Sequence, residues 1–168
     1  MDAFQCIKTM RAVRNFADKP LPDEALRRIL QAGRWSGSSK NSQPWHLIVV
    51  RERETLARLS ECGPFAGHLR GAVAGIAIVI EPTASVAEFD AGRLAQDLQL
   101  AAWNDGIGSC IAAMYEEDKA KSILGVPKEM QMWCVISFGF PAEGEPRRGA
   151  LANAGRKKLD EIVRWEQW

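Results

Sequence analysis

The sequence predicts a mixed α and β domain, and three observations predict it. Apolar residues recur at helical spacing within 23–35 and 89–104. Short apolar, β-branched runs at Leu47–Val50, Ala74–Ile80 and Trp133–Phe138 read as buried strands. Helix-like segments separate those strands, so helices and sheet interleave along a chain of 168 residues, read as one domain over 1–168.

The elements follow in order. Asp2 with Gln5 resembles a capping box and starts a short helix, Ala3 to Met10. Pro20 and Pro22 precede a helix from Asp23 to Trp35, with Leu26, Ile29, Leu30 and Gly33 on one face and acids ahead of Arg27 and Arg28. A polar loop, Ser36 to Gln43, leads through Pro44 and Trp45 into the strand His46–Val50. Glu54 to Cys62 reads as a helix stopped by Gly63-Pro64. The strand Ala74–Ile80 ends at Glu81-Pro82, and a long helix runs from Phe89 to Asn104, broken by Gly106 and Gly108. Ser109–Ala112 is a short strand and Glu116–Leu124 a helix ended by Gly125 and Pro127. After the strand Trp133–Phe138, an extended loop covers 142–155 and a last helix covers Leu159–Trp165.

Composition excludes several roles. The net charge is +1 and the basic residues are scattered, which argues against a nucleic-acid or anionic-membrane partner. The longest apolar run is too short to span a bilayer. The four cysteines are far apart, without a CxxC, and two histidines are available, so neither a local zinc site nor a metal-binding role is expected. Free thiols in a reducing cytoplasm are the default. Of the six tryptophans, most are expected in core or interface packing.

No GxSxG or P-loop is present, and Gly106-Ile107-Gly108 follows a helix rather than a strand, so a Rossmann reading fails. His46 reads as a partly buried structural histidine and His68 as exposed or a local cap, which leaves no acid–base pair and no catalytic side chain to name. A bound cofactor then carries the chemistry. Taken alone, the polar loop reads as a helix–strand connection, and the basic pair Arg11 and Arg14 and the cluster Arg156–Lys158 each read as solvated surface. Together they outline a site for a flat cofactor with a polar, phosphorylated tail.

Three blocks resemble the nitroreductase family of flavin enzymes. The first is Arg11-Ala12-Val13-Arg14-Asn15-Phe16. The second, Ser38-Ser39-Lys40-Asn41-Ser42-Gln43-Pro44-Trp45, is the most specific. The third is the ordered series Gly106-Ile107-Gly108, Leu124-Gly125-Val126-Pro127 and Phe138-Gly139-Phe140-Pro141. The resemblance implies an α+β fold with a central, mostly antiparallel sheet flanked by helices, and a homodimer with two flavin mononucleotides (FMN) at the subunit interface. By position, Arg11 and Arg14 would hold the phosphate and ribityl end, Ala12 would contribute backbone contacts and Arg156 would return to the phosphate. Ser38, Ser39 and Asn41 would meet the flavin from the partner subunit, with Gly37 shaping the approach. Ala112 and Ala113 would lie against the isoalloxazine and offer a backbone N–H.

The chain departs from the family pattern at Met10 (commonly arginine), Ala12 (serine), Gly37 (proline) and Met114 (glycine). It is also short between Ile80 and Phe89. The implied activity is an NAD(P)H-dependent FMN oxidoreductase acting on a nitroaromatic, quinone or similar acceptor. The alternatives are other flavin chemistry, such as reductive dehalogenation or flavin fragmentation, and a degenerate member that serves as a flavin- or small-molecule-binding module.

Overall fold

The structure, a computed structural model, describes residues 1–82, 86–146 and 155–168. Four strands form one antiparallel sheet: β1 (Trp45–Val50), β2 (Ala74–Ile80), β3 (Gly108–Ala113) and β4 (Gln131–Gly139). Their order is β1-β2-β4-β3, so β2 and β4 are central. Every residue of β2 is buried, which explains why it reads as a continuous apolar run rather than an alternation. The alternation is still there, divided between two cores. Ile76, Ile78 and Ile80 join α2 (Asp23–Arg34) and α4 (Ala87–Asn104) on one face. Ala77 and Val79 pack with Leu56, Leu59 and Leu69 on the other, under α3 (Arg53–Leu59) and α5 (Glu117–Leu124). Helices therefore flank both faces of the sheet, and the α+β architecture is the one expected.

The first helix, α1 (Ala3–Thr9), starts as the sequence predicts, with the Asp2 carboxylate accepting from the Gln5 N–H at 2.8 Å. It docks on α4 through Trp103, whose indole N–H donates to Thr9 Oγ1 at 3.0 Å. Trp103 is fully buried and Trp45 half-buried against the core. Trp35, Trp165 and Trp168 stand exposed, so core packing does not account for them within one chain.

After α1 the chain runs extended across the open side of β3. Ala12 bridges Ser109, the Val13 N–H donates to the Ser109 carbonyl at 3.0 Å, and Phe16 bridges Pro141. The register partners Gly108 and Gly139 make this passage possible. A Cβ on Gly108 would lie 2.6 Å from Val13, and one on Gly139 would lie 2.8 Å from the Phe16 ring. The glycines of the third block thus make room for the basic first block.

Some expectations change. The last helix, α6 (Leu159–Ile162), is one turn long rather than reaching Trp165. Leu159 and Ile162 are exposed, so no buried face sustains a longer helix. The polar loop contains a 3-10 turn, Ser39–Asn41, and a second such turn, Gly67–Gly71, precedes β2. Of the loop expected over 142–155, residues 147–154 lie outside the described residues. No helix among the described residues is long and apolar enough to cross a membrane.

Candidate functional site

A cavity of about 700 Å³ opens where the extended segment, the loop before β2 and strand β3 meet. Its walls include Arg14 and Phe16, Pro64, Phe65, Gly67, His68 and Arg70, and Cys110 and Ile111. That size accommodates a cofactor-sized ligand. Arg14 and Arg70 supply positive charge, and Arg70 is partly offset by Glu61 at 2.9 Å.

His68 stands in this wall, partly buried, rather than exposed or serving as a local cap as the sequence suggests. Its Nδ1 lies 2.8 Å from Ser137 Oγ, and the Ser137 hydroxyl donates to the Cys110 carbonyl at 3.2 Å. A hydroxyl has one proton, so Ser137 accepts from Nδ1–H and Nε2 keeps its lone pair. That Nε2 is buried and has no partner within hydrogen-bond distance among the described residues. A polar atom left this way calls for a ligand or ordered water. Burial pushes the His68 pKa below its ordinary value, nearby Arg14 adds to the effect, and a backbone contact with Ile111 opposes it.

A pH dependence of stability follows. With a lowered folded-state pKa, His68 costs nothing above the ordinary histidine value near 6.5. As pH falls below that value the unfolded chain gains a proton that the folded chain resists, and stability drops. Urea unfolding of wild type and His68→Gln is expected to shift in favour of the Gln variant between pH 7.5 and pH 5.5. A constant difference would show that His68 titrates normally.

The arginine pair separates. In an extended segment residues two apart share a face and residues three apart do not. Arg14 lines the cavity, whereas Arg11 donates to the carbonyls of Lys8 at 3.0 Å and Met10 at 2.7 Å, closing the end of α1. Ala12 is exposed between them. From β3 the cavity takes Cys110 and Ile111. Ala112 is buried in the second core, and Ala113 is exposed one step along the strand face from Ile111. The Ser109 carbonyl meets Val13 on the edge away from β4, so the backbone groups of Ile111 and Ala113 point to that same edge. Burial raises the Cys110 thiol pKa, so it is not a ready nucleophile.

The polar loop lies elsewhere. None of residues 36–43 lines the cavity. Gly37, Ser39 and Asn41 are exposed and Ser38 is half-buried, accepting from the Gln43 N–H at 2.9 Å. Arg156 is exposed beyond the cavity wall. His46 is exposed on the edge strand β1, 3.4 Å from Glu81, and is not the partly buried residue its neighbours suggested. Met114 is buried in the second core and does not project into the cavity. Sequence reasoning missed His68 and Cys110 as wall residues. The contact that defines His68 reaches 69 positions along the chain, and no local pattern signals it.

Comparison with known proteins accords with this geometry. A model of the Nitroreductase family matches residues 7–62 and 69–140. A protein of Archaeoglobus fulgidus named "Putative NADH dehydrogenase/NAD(P)H nitroreductase" is 34% identical over 151 residues, covering 83% of this chain and 87% of its own. The solved structure of an FMN-dependent nitroreductase from Clostridium difficile R20291 superposes with a TM-score of 0.89 at 27% identity, over 98% of this chain and 99% of that one. An NADPH:FMN oxidoreductase from Vibrio harveyi, solved with NAD+, shares the fold at a TM-score of 0.84 and 21% identity, over 98% of this chain and 77% of that one. With the match spanning most of the chain, the polar loop and strand β3 included, this chain belongs to the nitroreductase family.

Proposed function

We propose that this protein is an NAD(P)H-dependent FMN oxidoreductase that works as a homodimer in the cytoplasm and reduces a nitroaromatic, quinone or similar acceptor. The observation that carries the reading is the pairing of the cavity with the buried His68 Nε2, without a hydrogen-bond partner among the described residues, beside Arg14. A flavin has what this wall lacks: hydrogen-bonding ring edges for His68 and a phosphate for an arginine. The residues present therefore fit FMN. Met114, turned into the core, does not obstruct it.

Bound FMN supplies hydride and electron transfer itself. The chain's task is to hold and orient it. Arg14 would take the phosphate end, with Arg11 and Arg156 contributing charge and Ala12 its backbone. The β3 edge at Ala112 and Ala113 would present backbone groups to the ring. Ser38, Ser39 and Asn41, with Gly37, would reach the flavin of the partner subunit, which is consistent with a loop that stands apart from the cavity of its own chain. Exposed Phe4, Ile7, Phe89 and Trp165 support a second copy as the cover. No side chain is assigned as a general acid or base.

The protein is expected to purify yellow, or to take up FMN when it is added. Anaerobic NADH or NADPH should bleach the flavin band, and a nitroaromatic or quinone should restore it. Colourless protein that resists reconstitution would overturn this reading in favour of a small-molecule-binding module.

A further inference from the structure

We propose that α4 presets the polar loop 36–43 as a ligand clamp, with Asp90 and Asp97 as positioning residues and Arg93 as the support beneath Gly37. The inference rests on the proposed contact of this loop with a flavin. The loop has an unusual backbone. Lys40, Asn41 and Gln43 take φ values of +52°, +55° and +49°, the left-handed region that side chains other than Asn seldom enter. All three are exposed, so burial of their side chains does not hold them there. Residues in such a conformation persist where surrounding contacts over-determine them, as in ligand clamps.

Hydrogen bonds inside the loop, such as Gln43 N–H to Ser38 Oγ, supply part of those contacts, and among the described residues the side-chain ties from outside the loop come from one helix. The Ser36 hydroxyl donates to Asp97 Oδ2 at 2.6 Å, and the Ser39 N–H donates to Asp90 Oδ2 at 2.9 Å. Asp90 is itself 1% exposed, and its other oxygen lies 3.7 Å from Arg93 Nη1. Positions 90, 93 and 97 recur along one stripe of α4. The loop is thus tied on both sides of Gly37. At Gly37 a Cβ would sit 2.4 Å from Arg93 Nη2, so the backbone rests directly on the guanidinium. A larger residue would make the half-exposed Arg93 guanidinium shift from this position. Holding the loop ready before binding lowers the ordering cost when the ligand arrives.

The test compares Asp90→Ala with Asp90→Asn. The asparagine keeps an oxygen for the Ser39 N–H, whereas alanine leaves that donor unpaired. FMN affinity of the apoprotein, read by quenching of flavin fluorescence, is expected to fall roughly 10- to 100-fold in the alanine variant and to be largely rescued in the asparagine variant. Tryptic cleavage after Lys40, mapped by mass spectrometry, should accelerate in Asp90→Ala alone, with the thermal midpoint of the remaining domain nearly unchanged. Unchanged affinity together with unchanged cleavage would overturn the proposal. So would equal losses in both variants. If Asp90→Ala fails to fold, Ser36→Ala removes the other tie and is read the same way. If wild type does not bind FMN, the functional reading fails on its own. Faster cleavage at Lys40 in the alanine variant then still supports the tether, and unchanged cleavage overturns it.

Discussion

Replacing Trp103 with alanine is expected to remove about 3–5 kcal/mol of stability. The side chain is 1% exposed and hydrogen-bonds α4 to α1. Its loss removes the transfer free energy of a large ring and leaves a cavity that two short helical turns cannot close. The hydrogen bond adds to this. Trp103 donates to Thr9 Oγ1, and the Thr9 hydroxyl, in a residue 2% exposed, donates in turn to the Gln5 carbonyl at 2.6 Å. Trp103→Phe keeps much of the volume but not the donor, and it should lose distinctly less than the alanine variant. Denaturant midpoints of the two variants decide the matter. A Trp103→Ala loss below about 1 kcal/mol would mean that α1 does not depend on this contact. The effect also reaches the site, because α1 delivers the chain to Arg11 and Arg14. The alanine variant should therefore bind FMN more weakly even at temperatures where it remains folded.

Arg14→Ala is expected to weaken FMN by about 1.5–3 kcal/mol, the worth of one charge-assisted contact to phosphate. Riboflavin lacks the phosphate and should lose little. Titration of both ligands against the apoprotein separates a phosphate contact from general damage to the cavity, and equal losses would remove Arg14 from the phosphate role. Arg11→Ala is expected to differ in kind. Its guanidinium caps the carbonyl end of α1, so stability should fall along with affinity.

Much of the fold was legible because local chemistry and tertiary context agree. The apolar stripe of residues 23–35 needs only a helix to bury it, and the run Ala74–Ile80 is apolar throughout because a central strand with helices on both faces has no wet side. The glycines at 108 and 139 were legible as punctuation, and the polar loop as an excess of hydrogen-bonding residues for a simple connection. Their reasons were not legible. Gly108 and Gly139 are required by Val13 and Phe16, which arrive from the other end of the chain.

The sequence by itself determined the elements, their approximate bounds and the family, since helical and strand periodicity and contiguous motifs are local properties. The tertiary structure alone decided the strand order, the separation of Arg11 from Arg14 by an extended rather than helical segment, and the pinning of the loop by Asp90 and Asp97. It also placed His68, read from the sequence as exposed or a local cap, in the cavity wall. A one-dimensional pattern records which residues can form a contact. Only closure of the chain brings Ser137 to within 2.8 Å of His68 Nδ1 and leaves Nε2 buried without a hydrogen-bond partner among the described residues.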